Sequence, residues 1–253
     1  SMRRPKVRSI HSLSVVLVSV LTLAGLALLS GCSDRDLDDL APAPANDDPV
    51  VFDDGFGAGV DYQAFMGSLT DAVAIDPDEG YQSAAALRIT VPGPGESEGT
   101  YAGGAFVSAD FRDFSGYDAL VFQARSSVAS TLDVAGLAND NTGTSLYTAQ
   151  RENIPLTTDW SLVVIPIPDP SLLTLERGLF FFAEGHENDQ GFTMWFDEIR
   201  FANVGTILDP RPAMASRTIE SFVGATVVPE DTRTTFTVNG EDVVVGHEPF
   251  YFT

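Results

Sequence analysis

The sequence predicts an all-β fold, a sandwich of antiparallel sheets, for most of its 253 residues. Short runs rich in valine, phenylalanine, leucine and tyrosine alternate with glycine, proline, asparagine and aspartate, which is the pattern of strands joined by turns. Residues 50–203 show no 3.6-residue apolar period of the kind that an amphipathic helix requires. A stretch of about 150 residues with this pattern is long enough to bury one hydrophobic core.

Ten strands are expected in this sandwich, each ending at turn-forming residues. They cover residues 50–54, 62–68, 84–91, 104–109, 119–126, 131–138, 145–152, 161–167, 179–184 and 192–202. The sandwich therefore occupies residues 50–205. The preceding residues 32–49 are acidic and rich in proline and alanine, and such a composition predicts an extended tether.

A second unit is expected in residues 206–253, after the stiff linker Asp209-Pro-Arg-Pro. Further strands are predicted at 217–223, 234–238 and 242–246, and Asn239-Gly240 between the last two is a strong hairpin signal. Residues 221–240 resemble the opening of a bacterial Ig-like domain. Since such a domain needs about 100 residues, we expect an incomplete Ig-like segment. The alternative is that this short piece packs on the first domain.

Five short sequence segments of the sandwich occur in an order that is found in a known family. They are Phe52-Asp-Asp, Leu87-Arg-Ile, Tyr117-Asp-Ala-Leu-Val-Phe, Leu156-Thr-Thr-Asp-Trp and Trp195-Phe-Asp-Glu-Ile. This order resembles the galactose-binding-like jelly roll of carbohydrate-binding modules, which are attached to many bacterial glycanases, notably lipoproteins of the beta-glucanase type. The resemblance covers about 150 residues and implies a non-catalytic module that binds polysaccharide and is stabilised by Ca²⁺.

The N-terminus carries the features of a secretory signal peptide. A basic start is followed by an apolar stretch, residues 15–29, which is shorter than the ~20 residues of a membrane span. The single cysteine closes the tetrapeptide Leu29-Ser-Gly-Cys32, which resembles a bacterial lipobox. The resemblance implies cleavage after residue 31, lipidation of Cys32 and, since Ser33 follows, anchoring at the outer membrane or cell surface. An ordinary signal peptide with an incidental cysteine is the alternative.

The composition excludes some classes of partner. The formal net charge is −22, and every aspartate and glutamate lies after Cys32. Such a surface repels phosphate backbones, so we expect no nucleic-acid partner. With one cysteine, a monomer has neither disulfides nor a multi-thiolate metal site.

A calcium site is predicted around Asp197. Strict alternation along residues 193–201 would place Asp197 on one face with Trp195, Ile199 and Phe201, and Met194, Phe196, Glu198 and Arg200 on the other. If the first face is core, the carboxylate needs a partner, and Ca²⁺ prefers oxygen ligands. The family resemblance supplies Asp53 or Asp54 as first-strand ligands, and Asp76 is a further candidate donor. The alternative is that Asp197 lies at a strand end, where its carboxylate is hydrated or accepts a hydrogen bond from a backbone amide.

Candidate sugar-binding residues combine aromatic rings with planar polar groups. In residues 145–152, alternation places Tyr147 and Arg151 on one face, which is small and polar enough to line a groove. Residues 131–139 offer Asp133 and Asn139 on their polar face. Tyr101, between glycines, could lie flat in a cleft.

The run Phe180-Phe181-Phe182 supplies one more candidate, Phe181. Three consecutive phenylalanines in a strand cannot all face one core, because successive side chains alternate. Either both faces of the sheet are covered, or one ring is exposed as a stacking platform.

The function predicted from these features is a lipid-anchored surface protein that binds polysaccharide, with neutral β-glucan favoured. Glycanases or transporters of the same pathway are its expected partners. A structural or adhesive stalk without sugar affinity is one alternative. The other is a glycoside hydrolase that uses carboxylates of the loop 184–189, where Glu184 and Glu187 flank His186. No G-x-S-x-G, H-E-x-x-H or glycine-rich phosphate loop is present, so we expect no catalytic site in this chain.

Overall fold

Antiparallel strands form the fold, as the sequence predicts. The computed structural model describes residues 46–138, 145–205, 232–238 and 240–249. In these ranges the strands are β1 Val50–Phe52, β2 Val60–Ala64, β3 Val73–Asp76, β4 Ala86–Val91, β5 Ala102–Arg112, β6 Ala119–Ser126, β7 Ser130–Leu137, β8 Tyr147–Leu156, β9 Ser161–Pro166, β10 Glu176–Glu184, β11 Phe192–Ala202, β12 Thr232–Val238 and β13 Glu241–Pro249. A 3₁₀ turn, Pro170–Leu172, precedes β10.

The strands form a jelly-roll sandwich of two sheets. The six-stranded sheet has the order β3-β4-β11-β6-β9, with β1 paired to β11, and the seven-stranded sheet has the order β12-β13-β8-β7-β10-β5-β2. The inner faces of the two sheets share one hydrophobic core. Phenylalanine rings fill its centre, where the Phe122 ring lies 5.3 Å from Phe180 and 5.2 Å from Phe196. The fold class predicted for the sandwich is therefore confirmed.

Arg112 fastens the beginning of the described chain to the sandwich. Its guanidinium is fully buried and donates hydrogen bonds to the carbonyl oxygens of Asp48, Val50 and Ala58, at 2.9, 2.7 and 2.7 Å. Burial lowers the pKa of this group. Because carbonyl oxygens satisfy the donors, an arginine can occupy an otherwise apolar position at the end of β5.

A bulge in β11 overturns the predicted alternation of side chains. The register with β6 shifts between Asp197 and Arg200, and Glu198 has a positive φ of 48°. Met194 and Phe196 therefore face the core before the bulge, and Ile199 and Phe201 face the same core after it. The prediction that Asp197 shares the core face with Trp195, Ile199 and Phe201 is wrong, because one extra residue changes the phase of the strand.

The C-terminal hairpin belongs to the sandwich. β12 pairs with β13 as Asn239-Gly240 predicts, and β13 then pairs with β8, with Gly246 opposite Gln150. The inner face of the hairpin adds four side chains to the shared core, namely Phe236, Val238, Val243 and Val245. The described hairpin thus extends the first domain instead of opening a second one. Residues 206–231 lie outside the described ranges, so the Ig-like resemblance and the predicted strand at 217–223 stay predictions.

The predicted signal peptide and most of the tether, with Cys32, lie outside the described residues. Cleavage, lipidation and the outer-membrane location therefore stay predictions. Within the described ranges, no helix has the length and apolar character needed to cross a membrane.

Candidate functional site

A groove opens on the outer face of the seven-stranded sheet. Its volume is about 460 Å³. Eight residues line it, namely Phe65, Asp133, Val134, Gln150, Glu152, Asn153, Phe181 and Ala183. They come from β7, β8 and β10 and from the residue that follows β2, so the groove runs across neighbouring strands. The lining combines aromatic and aliphatic side chains with an amide pair and two carboxylates.

Phe181 forms part of the groove floor. Phe180 and Phe182 face the shared core, while Phe181 packs on the opposite face with Ala105 and Val107. Its ring lies over Gly136 of β7, where a Cβ atom would come within 2.5 Å of Phe181 Cε1. Glycine at this position lets the ring lie flat against the sheet. Phe181 therefore lies on the face opposite the core, but it is only 3% exposed, which corresponds to the alternative of a covered face and not to an exposed stacking platform.

Phe65 supplies a second aromatic side chain to the floor. It packs against the cluster that contains Phe181, and its N–H donates a 3.0 Å hydrogen bond to the carbonyl of Gly103. Tyr101 lies beside this end of the sheet. A Cβ at Gly103 would be 2.9 Å from Tyr101 Cε2, and Gly103 pairs with the groove residue Ala183. The predicted candidate Tyr101 therefore adjoins the groove, and its hydroxyl donates to the carbonyl of Met66.

The polar side chains on the rim are held in place by hydrogen bonds. Gln150 Nε2 donates to Glu152 Oε1 at 3.2 Å, and Asp133 Oδ2 accepts from the N–H of Gly185 at 3.0 Å. Arg233 Nη1 lies 3.5 Å from Glu152 Oε2. Amides and carboxylates therefore line one side of the groove with both donors and acceptors, and the guanidinium of Arg233 lies next to them.

Glu184 is buried beside this rim. Its Oε2 accepts a 2.6 Å hydrogen bond from the N–H of Asp133. Burial raises the pKa of Glu184 to about 8, and the nearby carboxylates of Asp133 and Glu187 act in the same direction, against the opposing effect of the Asp133 amide. Glu184 therefore carries its proton at neutral pH.

Two predicted glycan-binding residues lie in the core instead. Tyr147 is buried on the inner face of β8 and contacts the ring of His247, and burial raises the pKa of its hydroxyl. Arg151 also points inward, and its Nη1 donates a 2.8 Å hydrogen bond to the carbonyl of Val164 in the other sheet. The predicted pairing of these residues on one face is correct, but the choice of that face as the groove is wrong. Because a backbone carbonyl of the opposite sheet accepts a hydrogen bond from Arg151, this face of β8 can be buried without exposing the guanidinium to solvent.

Several groove residues are not among the candidates that the sequence predicts, and one candidate lies outside the described residues. Asn139 lies outside the described residues, so its predicted role stays a prediction. The groove residues that the sequence does not indicate include Phe65, Gln150, Glu152 and Asn153. Alternation could have supplied Gln150 and Glu152, because they are the neighbours of Tyr147, Ala149 and Arg151 on the opposite face of β8.

Three of the four predicted metal ligands, Asp197, Asp54 and Asp76, accept hydrogen bonds from other groups. Asp197 is fully buried beneath the segment 76–85, and its Oδ2 accepts from the N–H of Tyr81 at 2.8 Å and from Ser83 Oγ at 2.9 Å. Its Oδ1 accepts from the N–H of Glu198. These bonds correspond to the alternative of a carboxylate bonded to backbone amides.

The other three carboxylates do not complete a metal-binding group. Asp54 Oδ1 accepts from the N–H of Ala85, which lowers the pKa of Asp54, while Asp76 Oδ2 accepts from the indole of Trp195. Asp53 is exposed. In the part of the chain that the structure describes, no group of three or more His, Cys, Asp or Glu side chains is arranged to hold a metal ion. The four predicted carboxylates are therefore not gathered around one position where they could bind Ca²⁺ together. Calcium binding by this protein stays a prediction.

Both tryptophans of the chain lie on the outer face of the six-stranded sheet. Trp195 is paired across strands with Arg125, whose guanidinium lies 4.2 Å from the Trp195 ring centroid and 5.2 Å from that of Trp160. Arg125 also forms an ion pair with Glu79. The segment 76–85 therefore crosses this face as a strap, held by the ion pair and by the hydrogen bonds to Asp197.

Comparison with known proteins returns solved structures only. No protein-family model matches the chain, and no curated protein matches it. The family 11 carbohydrate-binding module of the cellulosomal cellulase Lic26A-Cel5E of Clostridium thermocellum aligns with a TM-score of 0.43 and 15% identity, over 63% of this chain and 96% of that chain.

Two further carbohydrate-binding modules align similarly. The family 30 module of the Clostridium thermocellum cellulase Cel9D-Cel44B has a TM-score of 0.37 and 21% identity, over 63% of this chain and 95% of that chain. Module CBM27-1 of Caldicellulosiruptor saccharolyticus, solved with mannohexaose, has a TM-score of 0.38 and 16% identity, over 61% and 92%. At these low identities and TM-scores, the likenesses establish no common function.

Proposed function

We propose that the chain binds polysaccharide in the groove on the seven-stranded sheet. The observation that carries this proposal is a groove in which the partly exposed Phe65, beside the buried Phe181, lies next to a hydrogen-bonding rim. A pyranose ring has an apolar face of C–H groups and an edge of hydroxyls. Aromatic side chains pack on the first, while amides and carboxylates bond the second. The groove offers both types of contact within one cavity.

The charges at the groove favour a neutral glycan. Asp133 and Glu152 line it, and the chain as a whole has a formal net charge of −22. Uronate or sulfate groups would meet like charges there, which costs affinity. We therefore propose a neutral polymer, with β-glucan as the first candidate.

The proposed role is that of a non-catalytic accessory to glycan degradation. The predicted lipobox at Cys32 and the acidic segment that follows support attachment to a bacterial outer membrane by a lipid and a tether. In that position the sandwich would hold polysaccharide near glycanases or transporters of the same pathway.

Isothermal titration calorimetry on residues 33–253, which retain the whole described unit, tests the proposal. The ligands are mixed-linkage β-glucan, β-mannan and the anionic polymer alginate. We expect binding to a neutral polymer and none to alginate. Phe65→Ala should weaken binding by about tenfold, the effect of losing roughly 1.4 kcal/mol of ring contact.

Leu162→Ala is the matched control, because Leu162 is an exposed apolar side chain on the other sheet. It should bind like the unmodified protein. Equal affinities for the Phe65 and Leu162 variants would contradict the groove as the site. Absence of binding to every polymer would favour the structural stalk, and release of reducing sugars would favour the hydrolase.

A further inference from the structure

We infer that the hairpin β12–β13 continues the groove and that its outer face, centred on Arg233, forms an additional sugar subsite. This inference rests on the proposed function. It concerns the length of polysaccharide that the protein contacts, and it assigns a binding role to a segment that the sequence places outside the sandwich domain.

Strand register places the hairpin on the groove side of the sheet. Gly246 of β13 is opposite Gln150, which lines the groove, and Arg233 of β12 is opposite Gly246. Side chains of directly paired residues point to the same face of a sheet. Arg233, Gly246 and Gln150 therefore form one row that leads from the groove onto the hairpin.

Arg233 makes direct contact with the groove lining. Its Nη1 lies 3.5 Å from Glu152 Oε2, and about half of the side chain, 52%, is exposed. A guanidinium presents several N–H donors in one plane, and that plane can also stack on a ring. Beside the carboxylates of Glu152 and Asp133, it adds donors for the hydroxyl oxygens of a sugar.

The neighbouring row is suited to the apolar face of a sugar ring. Val244 is 47% exposed and is paired with the exposed Thr235. Gly246 lies between Arg233 and Gln150 and has no side chain, so it does not obstruct the surface that connects them. Since adjacent strands lie about 4.8 Å apart, the two hairpin strands lengthen the binding face by roughly 10 Å.

The opposite face of the hairpin keeps this surface in place. Phe236 and Val245 are buried in the core that the two sheets share. The outer residues Arg233 and Thr235 take no part in that core, so they can be replaced without opening it. A subsite on this face is therefore held by the fold and can be tested by substitution.

Calorimetry with oligosaccharides of increasing length tests the inference. The probes are mixed-linkage β-gluco-oligosaccharides and β-manno-oligosaccharides, from trisaccharide to polymer, with residues 33–253. For the double variant Arg233→Ala/Thr235→Ala, we expect about a tenfold loss of affinity for the longest ligands and no change for the shortest ones that bind. The gain of affinity with length should therefore be smaller than in the unmodified protein.

Arg200→Ala is the control, because Arg200 is an exposed arginine of β11 on the other sheet that pairs with a neighbouring glutamate. It should retain the full length dependence, and thermal melts should show that all variants are folded. An unchanged length dependence in the double variant would overturn the subsite while leaving the proposed function in place. If the unmodified protein binds neither series at any length, both proposals fall.

Discussion

Glu184 shows how one side chain at the end of a strand couples pH to stability. It is 1% exposed, accepts a hydrogen bond from the Asp133 amide and lies near the carboxylates of Asp133 and Glu187. Ionisation in this setting is opposed by burial and by like charges, so the pKa of Glu184 rises to about 8. In the unfolded chain the same group titrates near its ordinary value of about 4.5.

The contribution of Glu184 to the free energy of unfolding should therefore fall as the pH rises from about 4.5 to about 8. Over that window the folded state retains a proton that the unfolded state has lost, so stability decreases with each step in pH. Glu184→Gln preserves the acceptor for the Asp133 amide and removes the titration. We expect the variant to gain stability relative to the unmodified protein as the pH increases, as measured by urea unfolding at a series of pH values.

Glu96→Gln is the control for this experiment, because Glu96 is exposed in the loop after β4. It should reproduce the pH dependence of the unmodified protein. Parallel curves for the Glu184 variant and the unmodified protein would show that Glu184 does not titrate in this window.

At this scale the sequence identifies which side chains share a face but not which face meets the core. Alternation separates Phe181 from Phe180 and Phe182, which face the core, but it does not predict that the Phe181 ring is covered as well. Tyr147 and Arg151 were misplaced, since the Val164 carbonyl that satisfies Arg151 belongs to a distant strand. Long-range hydrogen bonds of this kind leave no local signal.

Among the elements, β11 departs from a regular pattern at the residues that were predicted to bind calcium. Its bulge turns Asp197 away from the core face, beneath the strap formed by residues 76–85. The carboxylate compensates its burial by accepting hydrogen bonds from Tyr81, Ser83 and Glu198. The strap and the bulge are therefore joined through one side chain.

Removing this carboxylate should loosen the strap. In Asp197→Ala the N–H of Tyr81 and the hydroxyl of Ser83 lose their acceptor, so we expect the free energy of unfolding to fall by about 3 kcal/mol. Urea unfolding measures this change. Asp78→Ala, an exposed aspartate on the same strap, should change it by less than about 0.5 kcal/mol.

Thermal melts of the unmodified protein with and without EDTA test the calcium prediction independently. A lower melting temperature in EDTA would support a bound cation. Equal melting temperatures would contradict it.

For the strap, a loss of stability in Asp78→Ala as large as that in Asp197→Ala would show that the carboxylate of Asp197 does not specifically hold residues 76–85 in place.

The sequence predicts the positions of the strands better than it predicts β-bulges, where the alternation of side chains between the two faces shifts by one residue. The expected strands at 119–126 and 192–202 coincide with β6 and β11, because long apolar runs between turn residues are a strong local signal. β3 was missed, since four residues at a sheet edge give too short a pattern. The bulge within β11 was also missed, because strict alternation assumes an unbroken register.

For the whole molecule, the described hairpin corresponds to the alternative in which the C-terminal piece packs on the first domain. The linker at 209–212 and the hairpin signal at 239–240 suggested a new unit, and both are local features. The hairpin is joined to the sandwich by its pairing with β8, between residues about 100 positions apart in the chain, and by contacts in the shared core. Pairing at that separation depends on the geometry of the completed sheet, which the sequence alone does not reveal.

This arrangement predicts that a substitution in the hairpin unfolds the distant sheet. Val245 is fully buried in the shared core, whereas the adjacent Val244 is 47% exposed on the opposite face. Val245→Asp places a carboxylate in an apolar interior, so we expect a loss of more than about 3 kcal/mol in the free energy of unfolding. Val244→Asp, with the same change in chemistry one residue away, should cost less than about 1 kcal/mol.

Tryptophan fluorescence provides the measurement that separates one unit from two. The chain has two tryptophans, Trp160 and Trp195, and both lie on the six-stranded sheet, to which the hairpin does not pair. If the hairpin and the sandwich fold as one cooperative unit, Val245→Asp shifts the urea midpoint of the tryptophan signal to lower concentration. If the hairpin folds separately, that midpoint is the same in the Val245 and Val244 variants. The fluorescence of a sheet that contains neither substitution therefore reports whether the shared core makes the two sheets interdependent.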